Sequence, residues 1–161
     1  MRFTFQSPQS GFTLAELIAV ILIVGILSVS AAAMFGRGGF DTAGYADLAQ
    51  AQVAYARKVA IAQRRTTTVT FNTPPNTVSL TICAANPCAG TVPVTSPSGA
   101  GNFNSLAPAG VVLTTNPATG SFTFDPLGRP SGFAGLLTVT VSGSGSFPFL
   151  VEQETGYVHK P

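Results

Sequence analysis

Residues 11–35 read Gly11-Phe12-Thr13-Leu14-Ala15-Glu16-Leu17 followed by IAVILIVGILSVSAAAMF. From Phe12 to Phe35 the only charged side chain is Glu16. About 20 apolar residues, at about 1.5 Å each, span the hydrocarbon core, so this run is long enough to cross a bilayer once. Ahead of it lies the polar stretch MRFTFQSPQSG, residues 1–11, with Arg2 and Pro8; Arg37 lies just beyond it. Three readings compete. A secretory signal, cleaved near Ser30 to Ala33, wants a basic leader and an apolar stretch of about 7–15 residues. Here the stretch is longer, the leader holds one arginine, and a carboxylate sits near the start. A plain membrane anchor is the second reading. The third is a signal whose polar leader is removed while the apolar helix is kept. Glu16 separates them. An acidic side chain inside a membrane span costs about 2.5–3.5 kcal/mol on insertion scales, so it is expected to have a partner and a purpose.

The bulk composition fits one anchored domain. The chain has 161 residues, enough for a single core. Hydrophobic residues make up 45% and charged residues 9%, which is too polar for several membrane spans. The formal net charge of +2 gives no broad electrostatic footprint for nucleic acid. The two cysteines fall in Ile82-Cys83-Ala84-Ala85-Asn86-Pro87-Cys88, and the sole histidine is His159. A metal centre wants more ligands than that, and a redox pair wants Cys-x-x-Cys. A structural disulfide closing a tight loop between Cys83 and Cys88 is left, worth roughly 2 kcal/mol in the chain-entropy model. Disulfides persist in oxidising compartments, which places this half in the periplasm or outside the cell.

After Gly39 a second helical pattern begins, with Asp41 or Thr42 as candidate caps. Tyr45, Leu48, Ala49, Val53, Ala56 and Ala60 recur on one face. Asp47, Gln50, Arg57 and Lys58 fall on the other, and the helix is expected to end near Gln63 to Arg65. Unbroken from Phe12 to Gln63 it would be roughly 78 Å long; Gly36, Gly38 and Gly39 offer a place to bend. Beyond it the sequence alternates like strands. Candidates are Thr66 to Phe71, Val78 to Ile82, Val111 to Thr115, Phe122 to Phe124, Leu137 to Val141, Phe147 to Val151 and Tyr157 to His159. Asn86 to Gly110 reads as a long surface loop with one short strand at Thr91 to Thr95. The predicted fold is α+β: a long N-terminal helix whose second half packs on an antiparallel β-sheet head.

Gly11 to Leu17 closely resembles the GFTLxEL processing motif of type IV prepilins and pseudopilins. The resemblance implies cleavage after Gly11 by an aspartyl prepilin peptidase at the cytoplasmic face, and N-methylation of the new N-terminal residue, Phe12. It makes Glu16 the assembly residue. The physics is compatible, since a buried carboxylate strongly prefers a partner. The cationic amine of Phe12 in an incoming subunit can pair with Glu16 of a neighbour. Three departures stand out: Ser10 where many members carry a basic residue, Ala15 where they carry a bulkier aliphatic one, and Ala33 where many pilins carry proline. Phe124-Asp125-Pro126-Leu127-Gly128-Arg129-Pro130 resembles the F-x-x-x-G-R-P segment of GspH-like pseudopilins and FimT-like minor pilins. Ala56 to Arg65 resembles the helix end of that group. Glu154-Thr155-Gly156-Tyr157-Val158-His159 is similar to the ending of MSHA-type minor pilins of the MshC kind.

The expected organisation is therefore a leader at 1–11, a membrane and assembly helix at 12–35, an amphipathic helix half at 36–65, and a β-rich head at 66–161. The expected role is a structural minor pilin or pseudopilin in a type IV pilus or a type II secretion pseudopilus. It would be a single-pass inner-membrane protein with a periplasmic head until assembly. Its partners would be the prepilin peptidase, other pilins, the inner-membrane assembly platform and membrane lipid. No catalytic set, metal pattern, P-loop or cofactor is expected, because the acids are scattered and His159 lies three residues from the end. The alternative is a binding module with a DNA-uptake or adhesive role. Its candidate weak nucleic-acid contacts are Arg57, Lys58, Arg64 and Arg65, which also suit the negative end of a helix dipole.

Overall fold

The computed structural model describes residues 13–34, 37–99 and 101–161. Two helices come first: α1, Leu14–Met34, and α2, Arg37–Gln63. Then follow β1 (Thr67–Asn72), β2 (Thr77–Cys83), β3 (Thr91–Pro93), β4 (Ser105–Leu106) and β5 (Val112–Asn116). The last five strands are β6 (Ser121–Phe124), β7 (Pro130–Ser131), β8 (Leu137–Ser142), β9 (Ser146–Val151) and β10 (Val158–His159). The chain divides into two compact units, one ahead of Arg37 and one at Arg37–Pro161.

In the first unit, α1 is apolar on every side. From Thr13 to Ser28 all its side chains are exposed, Leu14 by 77% and Ile26 by 69%. The helix runs on through Ala33, so the missing proline leaves it continuous there. Phe12 and Phe35, the ends of the expected span, lie outside the described residues, as do Gly11 and the leader. Among the described residues no helix is long and apolar enough to cross a membrane.

The second unit is a helix shared by two antiparallel sheets, where the sequence suggested one sheet. One sheet has the order β3-β2-β1-β6-β7, with β4 also on the outer edge of β2; the other has the order β10-β9-β8-β5. Helix α2 touches β1, β2 and β6 of the first and β8, β9 and β10 of the second. Its buried stripe is Tyr45, Ala46, Ala49, Gln52, Val53, Ala56, Val59 and Ala60. Leu48, expected on that stripe, is 41% exposed. Three alanines at the contact, Ala49, Ala56 and Ala60, are fully buried and let the backbone approach both sheets closely. Asp41 and Thr42 do not cap α2, which starts earlier. The Thr42 hydroxyl instead accepts from the Ser144 amide (3.4 Å) and bonds the Ser144 hydroxyl (3.1 Å). A tertiary partner thus holds a residue that would otherwise favour a helix end.

Strand alternation was read correctly. Leu137, Val139 and Val141 are fully buried, while Thr138 and Thr140 are half-buried. Phe122, Phe124 and Phe149 supply the largest buried rings, with Phe122 edge-on to Phe124 and Phe133. Two polar groups stitch the core. Gln52 is fully buried, donates to the Phe103 carbonyl at 3.3 Å and accepts from the Ser105 hydroxyl at 2.5 Å. Asn76 donates to the Val111 carbonyl at 3.1 Å and accepts from the Leu113 amide at 3.4 Å, closing part of the β5 edge. Every residue of this core lies between Tyr45 and Val158, so residues 37–161 carry their whole core, both sheets and the disulfide and fold as one unit.

Thr67 is the exception to polar satisfaction. Its hydroxyl oxygen is buried with no hydrogen-bond partner among the described residues. An orphaned buried hydroxyl costs about 1–3 kcal/mol. Thr67→Val keeps the shape and removes the orphan, so it should stabilise the head by about 1 kcal/mol in denaturant unfolding. Loss of stability would show that the hydroxyl has a partner in solution.

Candidate functional site

Two places carry the sequence-level candidates: the start of α1 and the far end of α2. At the start of α1, Thr13 is the N-cap. Its hydroxyl oxygen accepts from the Glu16 amide at 3.2 Å, and its carbonyl accepts from the Leu17 amide at 3.2 Å. Thr13-Leu14-Ala15-Glu16 thus has the pattern of a capping box, with Glu16 at the third helical position. Sequence reasoning missed the role of Thr13, although a threonine three residues before a glutamate is the signal for it. The cap fixes where α1 begins and puts the Glu16 carboxylate in its first turn, where the positive end of the helix dipole favours an anion. Further along, the Ser28 hydroxyl donates to the Val24 carbonyl at 2.7 Å, so the helix satisfies this polar group internally.

At its other end α2 stops in a Schellman-type turn. The Arg65 amide donates to the Ala60 carbonyl (3.1 Å) and the Arg64 amide to the Ile61 carbonyl (3.3 Å). Arg64 takes the left-handed conformation, φ 52°, usually given to glycine there. The F-x-x-x-G-R-P segment forms the β6–β7 turn and packs against this helix end. The Asp125 carboxylate accepts from the Leu127 and Arg129 amides, both at 2.8 Å. Gly128 takes a left-handed φ of 80° and packs against the Ile61 side chain and Arg57, so a β-carbon there would be strained and would push those side chains aside. Arg57 is half-buried, and its Nε donates to the Gly128 carbonyl at 3.3 Å. Gly156 closes the contact from the C-terminal side, since a β-carbon on it would run into the Gly128 carbonyl oxygen. The G-R-P segment is therefore a turn with a packing task, and Arg57 is its clamp. Lys58 and Arg64 are exposed and Arg65 is half-buried. Arg129, exposed, is brought to the same end of the head.

Cys83 and Cys88 form a disulfide, closing the connection from β2 towards β3. At the C-terminus, His159 Nε2 lies 3.1 Å from Glu152 Oε1 and Nδ1 lies 2.8 Å from the Lys160 carbonyl. Lys160 Nζ pairs with Asp47 on α2 at 2.8 Å. The Glu152 carboxylate, and then the Lys160 carbonyl, raise the His159 pKa above its ordinary 6.5. Among the described residues no group of three His, Cys, Asp or Glu side chains is placed to hold a metal ion.

Comparison with known proteins places these features. Residues 6–32 match the family model of the prokaryotic N-terminal methylation motif. The minor pseudopilin EpsH of the type 2 secretion system of Vibrio cholerae superposes with a TM-score of 0.58 at 12% identity, over 75% of this chain and 96% of that one. The type IV minor pilin FimU of Pseudomonas aeruginosa gives 0.51 at 18% identity, over 72% and 84%. A second crystal form of FimU gives 0.50 at 17% identity, over 72% and 89%. No curated protein matches the chain by sequence. The methylation motif lies ahead of this head in the sequence. The fold of the chain is that of the minor pilins and pseudopilins.

Two outcomes test the far end of the head. Gly156→Ala should destabilise it by about 3 kcal/mol, because a left-handed backbone and a steric clash coincide there. A loss under about 1 kcal/mol in thermal unfolding would show that the Gly128–Gly156 contact can relax. Titrating the single histidine by NMR should give a pKa above 6.5 that falls back in Glu152→Gln. A group whose pKa is raised by folding stabilises fully below its unfolded value and loses that contribution as pH rises through the folded one. The pairing of β10 should accordingly weaken as pH rises above 6.5 and His159 gives up its proton. A native pKa at or below 6.5 would exclude the pairing.

Proposed function

We propose that this chain is a minor structural subunit of a type IV pilus or type II secretion pseudopilus. It would be cut between Gly11 and Phe12 and methylated on Phe12. The supporting observation is the start of α1: a capped helix, apolar on all sides, with one carboxylate in its first turn, inside a matched methylation motif. A helix with no polar face is at home in lipid or in a bundle of like helices. In this reading residues 12–35 anchor the precursor in the inner membrane, head outward, and later pack into the filament. The prepilin peptidase, the assembly platform and other pilins are its partners, and its role is structural, with no chemistry of its own. Cleavage at Gly11 would create an amine at Phe12, four residues before Glu16. The methylated amine of one subunit neutralises Glu16 of another, and this pairing sets the axial register while the aliphatic faces pack.

Mass spectrometry of the protein recovered from membranes tests the processing step. A chain beginning at methylated Phe12 is expected, and Gly11→Leu should leave the leader attached. A chain beginning near Ala31 to Met34 would instead mean conventional secretion. Glu16→Ala should be processed normally yet enter filaments less well, by about tenfold or more, because the partner amine is left buried and unpaired. Normal incorporation would remove the pairing from the mechanism.

A further inference from the structure

The far end of α2 and the β6–β7 turn together make one surface of the head. Arg57 and Ile61 lie one helical turn apart near the end of α2 with Lys58 beside them, and Arg64 and Arg65 follow in the turn that ends the helix. Ile61 rests on Gly128, so Leu127 and Arg129 belong to the same surface. Arg57, Lys58, Arg64, Arg65 and Arg129 are five of the eight lysines and arginines in the chain. Among the described residues none of the five forms an ion pair; the two pairs present involve His159 and Lys160. The acids nearby are few. Asp125 spends one carboxylate oxygen on two backbone amides, and Glu154 is on the turn that carries Gly156. The local excess is positive.

The apolar residues on this surface are as informative as the cations. Leu127 is 71% exposed at the tip of the turn, and Ile61 is 43% exposed beside it. The turn needs neither as a core residue. A nucleic-acid backbone is met by cations, polar groups and aromatic rings, and an exposed leucine adds nothing to phosphate contacts. An anionic bilayer surface uses both: phosphate headgroups meet the cations, and a protruding aliphatic side chain enters the acyl boundary.

We propose that the surface formed by Lys58, Ile61, Arg64, Arg65, Leu127 and Arg129 is a docking site for an anionic bilayer, with Leu127 as the inserting side chain. The site belongs to the head alone and does not depend on filament assembly. Residues 37–161, which carry the complete core, serve for the test. The head should co-sediment with vesicles of phosphatidylcholine mixed with phosphatidylglycerol and not with phosphatidylcholine alone. Lys58→Gln and Arg129→Gln should each lower the partition coefficient about fivefold. Leu127→Ser should lower it about tenfold, and its exposure leaves folding untouched. Lys160→Gln, further back along α2 beside Asp47, should leave it unchanged. Equal binding to both vesicle types, or binding to the anionic ones that Leu127→Ser does not weaken, would overturn the proposal. Binding to duplex DNA at the same salt, weakened by the cation changes and indifferent to Leu127, would make the surface a nucleic-acid site instead.

Discussion

The head depends on one helix face serving two sheets. A sheet packed on a helix needs that helix to offer an apolar stripe; two sheets need a wider stripe that is also thin. Helix α2 meets both demands with Ala46, Ala49, Ala56 and Ala60 among its buried positions, flanked by Tyr45, Val53 and Val59. Large side chains at the alanine sites would push one sheet away, because interiors are packed close to crystal density. Gln52 ties α2 to the Phe103–Ser105 segment beside the first sheet, and Asn76 links the β1–β2 turn to the β5 strand of the second. Each of these side chains both donates and accepts, so neither leaves a lone amide group stranded.

This also explains what could and could not be read from the sequence. Strands with strict alternation, such as Leu137-Thr138-Val139-Thr140-Val141, announce one buried and one open face locally, and they were legible. The division into two sheets was not. After β4 the chain crosses to the second sheet for β5, returns to the first for β6 and β7, and crosses again for β8. Nothing in a strand's own pattern says which neighbour it takes. Leu48 was misjudged, and Gln52 went unread, for a related reason. Helical periodicity ranks residues by polarity, so it put leucine in the core and passed over a glutamine that is buried against Phe103 and Ser105. The short strands β4 and β7, two residues each, carry too little sequence to show a period at all.

The candidate motif residues were singled out on different grounds. Gly11, Phe12 and Glu16 stand out because a charge in an apolar run conflicts with simple membrane insertion, and that conflict needs no tertiary knowledge. Thr13 was missed because its task is backbone satisfaction at a helix end, which polarity alone does not reveal. Gly128 and Gly156 show the opposite case. Each is an unremarkable turn residue in the sequence, yet 28 positions apart they meet at Arg57, with the Gly128 carbonyl leaving no room for a methyl group on Gly156. The G-R-P segment is constrained by what lies against it, and only the folded chain shows that partner.

The two units are stabilised in different ways. The head buries its apolar side chains internally, pins one connection with a disulfide and carries its own core. Helix α1 buries none of the side chains described from Thr13 to Ser28, and it holds no polar face that water would favour. Whatever surrounds α1 must therefore supply the apolar contacts that the head finds within itself. Lipid can do this for the aliphatic residues but leaves Glu16 without a counter-charge. A bundle of like helices supplies the aliphatic surface, and under the proposed cleavage after Gly11 each copy would also bring a cationic amine four residues before its own carboxylate. In the proposed role, a carboxylate that is unfavourable in a single subunit in lipid would gain its counter-charge only from a neighbouring copy.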